Sequence, residues 1–119
     1  MFQRHETLPL VALAGLLSLA IGCGAPSGAG PIDSTQAHAL VASGATLLDV
    51  RSPGEWAGGH LPGAVLVPVD ELDARLAEIP RDQPVVVYCA SGVRSAAATR
   101  TLVASGYEAH DLGGMSRWR

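Results

Sequence analysis

From Pro31 onward, apolar positions alternate between two periods, one that suits helices and one that suits buried strands. Ala37, Leu40 and Val41 follow i, i+3, i+4 spacing after Ser34, which predicts a helix capped by Ser34 and stopped at Gly44. Ala45 to Val50 reads as a buried strand. Pro53, Glu55 and Trp56 predict a single helical turn with proline near its start. Ala64 to Val67 forms a short apolar strand ended by Pro68. Asp70, with Asp73 three residues on, predicts the start of a helix whose face carries Leu72, Leu76 and Ile79 and which Pro80 stops. Val85 to Tyr88 is an apolar run rich in β-branched residues. Ser95 to Ser105 reads as a helix closed by Gly106, and Glu108 to Leu112 as a last strand.

Strand and helix signals that alternate in this way predict an α/β fold, with a mostly parallel central sheet and helices on both faces. Residues 32–119 supply one such domain. In such sheets, ligands bind beyond the carboxyl ends of the strands. Cys89 stands at one predicted strand end, and Asp49 and Arg51 stand at another.

The N-terminal part has a different character. Leu8 to Ile21 is a nearly unbroken apolar run, shorter than the about 20 residues a membrane-spanning helix needs, which fits the core of a signal peptide over residues 1–22. Ala20-Ile21-Gly22-Cys23 resembles the lipobox of bacterial lipoproteins, in which the cysteine is lipidated and becomes the new N-terminus. An ordinary secretory signal or a short uncleaved anchor is the alternative. Residues 23–31 then form a lipidation site and a Gly- and Pro-rich flexible tether. The expectation is an exported protein on the periplasmic or cell-envelope face, held to a membrane by its lipid. With Cys23 lipidated, the second of the chain's two cysteines, Cys89, is the mature domain's only thiol. The chain has no lysine and a formal net charge of −3, so nothing forms the basic patch that nucleic-acid binding requires.

Cys89 closes an apolar strand and opens the loop Ala90-Ser91-Gly92-Val93-Arg94-Ser95, which runs into an alanine-rich helix. Inward-facing backbone N–H groups, the helix N-terminus and the Arg94 guanidinium all favour a thiolate there. Gly92 permits a turn at positive φ, Ala90 and Ser91 leave the loop centre open, and Arg94 is spaced to close the ring on an anion. Cys89 is therefore the candidate nucleophile. A buried structural cysteine is the plainer reading, but it leaves the Gly and Arg unexplained.

Three segments together resemble the single-domain rhodaneses, a sulfurtransferase family. They are LLDVRSPGEWAGGHLPGAVLVP (Leu47 to Pro68), VVVYCASGVRSAAAT (Val85 to Thr99) and HDLGGMSRW (His110 to Trp118), in that order. Trp56 stands where the family more often has Tyr or Phe. The resemblance implies a small rhodanese-like fold and a two-step reaction. Cys89 takes the outer sulfur of a donor such as thiosulfate or a persulfide, becomes a persulfide, and passes the sulfur to a thiophilic acceptor, for example a thioredoxin-like protein. The N–H groups of Ala90 to Ser95 stabilise the charge on sulfur, and Arg94 either holds the donor anion or fixes the loop. No metal or organic cofactor is implied.

Supporting roles fall to Asp49 and Arg51, read as structural ion-pairing residues with Arg51 able to reach Glu55, and to His60, read as tying its loop to backbone. His38 and His110 lack partners at ligand spacing. Gly113 and Gly114 predict a tight turn near the site, and Trp118 a cover for the core. Two other functions stay open: a tethered persulfide carrier with little turnover, and a cysteine phosphatase or arsenate reductase. The latter families resemble C-x5-R, whereas only four residues separate Cys89 from Arg94.

Overall fold

The computed structural model describes residues 30–119, so the apolar run, Cys23 and most of the tether lie outside the described residues. Helix α1 (Ser34–Ala42) leads to strand β1 (Thr46–Asp49), helix α2 (Pro53–Ala57) and the two-residue strand β2 (Val65–Leu66). Two short 3-10 turns flank α3 (Leu72–Arg75), after which come β3 (Val85–Cys89), α4 (Val93–Ala104), β4 (Ala109–Gly114) and a final 3-10 turn at Met115–Arg117.

The strands form one sheet in the order β2-β1-β3-β4, and every pairing is parallel. The predicted α/β class is the observed one. Thr46 to Asp49 lie opposite Val85 to Tyr88, and Cys89 lies opposite Gly114 after a register shift between Val87 and Tyr88. This order creates the crevice. After β1 the chain moves through α2 to β2 on one side, and after β3 it moves through α4 to β4 on the other, so the loops leaving β1 and β3 diverge.

Every residue of β3 is buried, as expected of a central parallel strand covered on both faces. Its side chains alternate between two cores. Val85, Val87 and Cys89 join Leu48, Leu72, Ala98 and Leu102, while Val86 and Tyr88 join Ala37, Leu47, Leu61 and Leu112. Full burial of each of these valines contributes roughly 1.5–3 kcal/mol. The same parity that buries Val85 and Val87 sends the Cys89 side chain to the face covered by α4.

Several local expectations are corrected. Asp33, not Ser34, caps α1, because Asp33 accepts the Gln36 N–H at 2.8 Å while the Gln36 side chain accepts the Asp33 N–H at 2.9 Å. Asp70 caps nothing: Pro68 delivers the chain into a 3-10 turn at Val69–Glu71, and α3 starts at Leu72 without a side-chain cap. Helix α4 starts at Val93, two residues before the expected Ser95, and β4 runs on to Gly114. Trp118 is partly buried against the second core, as expected, with its ring 3.7 Å from that of His38. No described helix is long and apolar enough to cross a membrane.

Candidate active site

Cys89 ends β3 and is wholly buried. Its sulfur accepts the Gly92 N–H at 2.9 Å, and it lies 3.5 Å from the Ser95 hydroxyl. Gly92 adopts φ 105°, a left-handed conformation that side-chain-bearing residues avoid, and this turns the loop back over the sulfur. Gly92 is also the N-terminal flanking residue of α4 and carries no capping side chain. Through the N–H of Ser95, the third helical residue, the sulfur also stands where a Ser or Asp oxygen usually does at a helix start.

Two opposing effects act on the thiol. Burial pushes it up, but the hydrogen bonds from the Ser95 hydroxyl and from the N–H groups of Ser95, Gly92 and Ser91 outweigh burial and hold it below the ordinary thiol value. Ser95 is itself buried and lies 3.1 Å from the Gly92 carbonyl, 3.5 Å from that of Gly113 and 3.5 Å from the sulfur. A single hydroxyl proton can point to one of these neighbours at a time, and the O–H can turn toward the sulfur as a donor when Cys89 is a thiolate.

Arg94, expected either to hold the donor anion or to fix the loop, is engaged by a carboxylate of this chain. Its guanidinium meets Glu55 of α2 through two hydrogen bonds, Nη1 to Oε1 at 2.7 Å and Nη2 to Oε2 at 3.0 Å. The Glu55 carboxylate is held down to about 2, first by Arg94 and then by the Ser52 N–H. Glu55 is also the third helical residue of α2, where it completes a capping box with Ser52. One carboxylate therefore ties the start of α2 to the active loop. Ser52 and Glu55 carry the S-x-x-E spacing of that box, a local signal that Glu55 is engaged at the helix start; nothing local pointed to Arg94.

Arg51 does not reach Glu55. It turns back on Asp49, its Nε and Nη2 lying 2.7–3.0 Å from the two carboxylate oxygens, and Nη2 also donates to the Gly59 carbonyl. Asp49 is fully buried and also accepts the Arg51 N–H. Arg51 thus pairs with Asp49 rather than with the Glu55 it was expected to reach. Its guanidinium lies 5.7 Å from the Tyr88 ring centre, and the Tyr88 hydroxyl, pushed up to about 12 chiefly by burial, accepts the Leu61 N–H.

His60 stacks on Trp56 with ring centres 3.5 Å apart, and its Nδ1 lies 3.2 Å from the Trp56 carbonyl. It ties its loop to backbone, outside the sulfur's surroundings. Gly113 and Gly114 form the end of β4 rather than a tight turn. A Cβ on Gly114 would sit 2.8 Å from the Ala90 carbonyl oxygen, so glycine there lets the active loop lie against the strand.

Cys89 lines neither of the two depressions that flank the loop. A groove of about 600 Å³ runs past Ser91, Gly92 and Gly113 on the β4 side, and a cleft of about 290 Å³ lies beside Arg51, Val69, Asp70 and Arg94 on the β1 side. Among the described residues, no three His, Cys, Asp or Glu side chains cluster as metal ligands.

Residues 33–119 match the rhodanese-like domain family. A sulfurtransferase of Allochromatium vinosum is 44% identical over 61 residues, covering 51% of this chain and 57% of that protein. A thiosulfate sulfurtransferase of Stutzerimonas stutzeri is 36% identical over 90 residues, covering 74% and 83%. Among solved structures, a human single-domain sulfurtransferase superposes with a TM-score of 0.64 at 32% identity, covering 80% of this chain and 95% of that one. The matched part spans 60%, 57% and 19% of the length of three of the curated relatives.

Proposed function

Because the chain belongs to the rhodanese-like domain family, we propose that it is a sulfurtransferase that carries sulfane sulfur on Cys89. The observation that carries this reading is the Cys89 sulfur held at 2.9 Å by the Gly92 N–H at the start of α4, in a loop of four spacer residues. A thiolate in that position attacks the outer sulfur of a sulfane donor. With thiosulfate, a new S–S bond forms to Cys89, the donor's S–S bond breaks, and its electron pair leaves with sulfite. The persulfide then yields its outer sulfur to a thiophilic acceptor, and the electron pair returns to Cys89.

The N–H groups that stabilise the thiolate serve the persulfide anion in the same way, as fixed dipoles that need no reorganisation. Ser95 supplies a hydroxyl that follows the charge on sulfur. Arg94 shapes the loop through Glu55.

Complete burial of Cys89 favours a second reading, a carrier that protects its persulfide and turns over slowly. Thiosulfate and cyanide, varied together while thiocyanate is measured, separate the two readings. Parallel double-reciprocal lines that vanish in Cys89→Ser fit the transferase, and loading without appreciable turnover fits the carrier. The apolar run before Cys23 and the Gly- and Pro-rich stretch after it support a domain exported and lipid-anchored at the cell envelope, beside a thiol acceptor such as a thioredoxin-like protein.

A further inference from the structure

We propose that Glu55 sets the donor preference of the Cys89 site. By neutralising Arg94, it favours organic persulfides, whose sulfane end carries at most one negative charge, over the thiosulfate dianion. The proposal rests on the sulfurtransfer reading above and narrows it.

The cations around the loop on the β1 side are Arg94 and Arg51, and both are spent. Arg94 is engaged by both oxygens of Glu55, and Arg51 by both oxygens of Asp49. The cleft they line is completed by Asp70 and Glu71, which add negative charge, Glu71 being 3.6 Å from Arg75. Among the described residues, that cleft therefore offers an incoming anion no unpaired guanidinium. Arg100 and Arg117 line the groove on the β4 side, where Arg117 already donates to the Leu112 and Ile32 carbonyls.

On the β1 side, only the loop's N–H dipoles remain to receive a donor at the sulfur, and the cations without a carboxylate partner, Arg100 and Arg117, lie on the β4 side. Dipoles of this kind suit the single charge of a thiolate or persulfide. A dianion must give up a large hydration energy, and only a full opposing charge close by offsets that loss. For a persulfide donor the step balances without such a cation. The Cys89 thiolate attacks the outer sulfur of R–S–SH, the new S–S bond forms, and the old one breaks with its electron pair leaving as the thiolate RS⁻. The proton stays on the transferred sulfur.

Glu55→Gln removes the charge while its one amide oxygen can still accept from the Ser52 N–H and from Arg94 Nη1; the bond from Arg94 Nη2 is lost. With cyanide as acceptor, the variant is expected to raise the ratio of kcat/KM for thiosulfate to kcat/KM for cysteine persulfide about fivefold to tenfold. A parallel fall for both donors, or no change for either, overturns the proposal and leaves Glu55 with a structural role alone.

The wild-type protein supplies a second test that needs no variant. Its kcat/KM for thiosulfate should change less than about twofold between low and physiological salt, whereas a free cation at the site gives a steep fall. A steep fall overturns the proposal. If neither donor leaves sulfur on Cys89, the sulfurtransfer reading itself fails; equal loading by both donors leaves that reading standing and removes only the preference.

Discussion

Glu55 on α2 and Arg94 on the active loop stand 39 residues apart and meet through two hydrogen bonds of 2.7 and 3.0 Å. Through this contact the loop that follows β3 is fastened to the chain that follows β1, across the crevice where the two strands' connections part. The loop's shape thus depends on a carboxylate outside it.

The pair sets an acid limit. The Glu55 carboxyl is lowered in the folded protein, so the stabilisation it brings is complete above the ordinary glutamate value of 4.5 and is lost as pH falls through about 2. A carbon NMR titration of the Glu55 carboxyl is expected to give a midpoint near 2, and a midpoint near 4.5 contradicts the pairing.

Ser95→Ala removes the hydroxyl nearest the sulfur while leaving the backbone N–H groups in place. The Cys89 thiol should titrate higher than in wild type, and its alkylation by iodoacetamide at neutral pH should slow about threefold to tenfold. An unchanged pH profile of alkylation means that the N–H groups alone hold the thiolate.

Arg51→Ala leaves the fully buried Asp49 carboxylate without its partner. Breaking a buried pair in this way costs about 3 kcal/mol or more, read as a lower urea midpoint. A loss below about 1 kcal/mol, the level of an exposed pair, contradicts a structural role for Arg51.

Gly114→Ala forces a Cβ to within 2.8 Å of the Ala90 carbonyl oxygen, whereas at Gly54 the nearest atom to an added Cβ, the Ser52 hydroxyl oxygen, is 3.9 Å away. The first substitution should cost about 1–3 kcal/mol and slow sulfur loading, because the atom it meets belongs to the active loop. Gly54→Ala should be neutral or stabilising by about 0.5 kcal/mol. Equal urea midpoints for the two variants contradict the close packing of β4 against the loop.

The features legible in the sequence are those decided over short distances. The unbroken run from Val85 to Tyr88 announces a strand buried on both faces. Cys89, Gly92 and the helix start lie within four residues, so the chemistry of the loop follows from local rules. Where two local signals compete, the outcome depends on a detail the pattern does not hold. Asp33 and Ser34 are both good caps, and the reciprocal bond from Gln36 decides for Asp33.

The fate of the arginines was not legible. Arg51 could face Glu55 along a helix or Asp49 along a strand, and Asp49 prevails because its carboxylate is fully buried and needs a partner. That choice leaves Glu55 free for Arg94, a contact no local spacing reveals. Gly113 and Gly114 read as a turn because paired glycines usually make one. They sit instead at a strand end where Gly114 lets another backbone come close.

Sulfane sulfur carried on Cys89 is read out by intact mass measurement after incubation with thiosulfate or cysteine persulfide. A gain of one sulfur atom is expected, removed by cyanide with release of thiocyanate and absent in Cys89→Ser. An unchanged mass with both donors, or turnover of an aryl phosphate by the same cysteine, would contradict it.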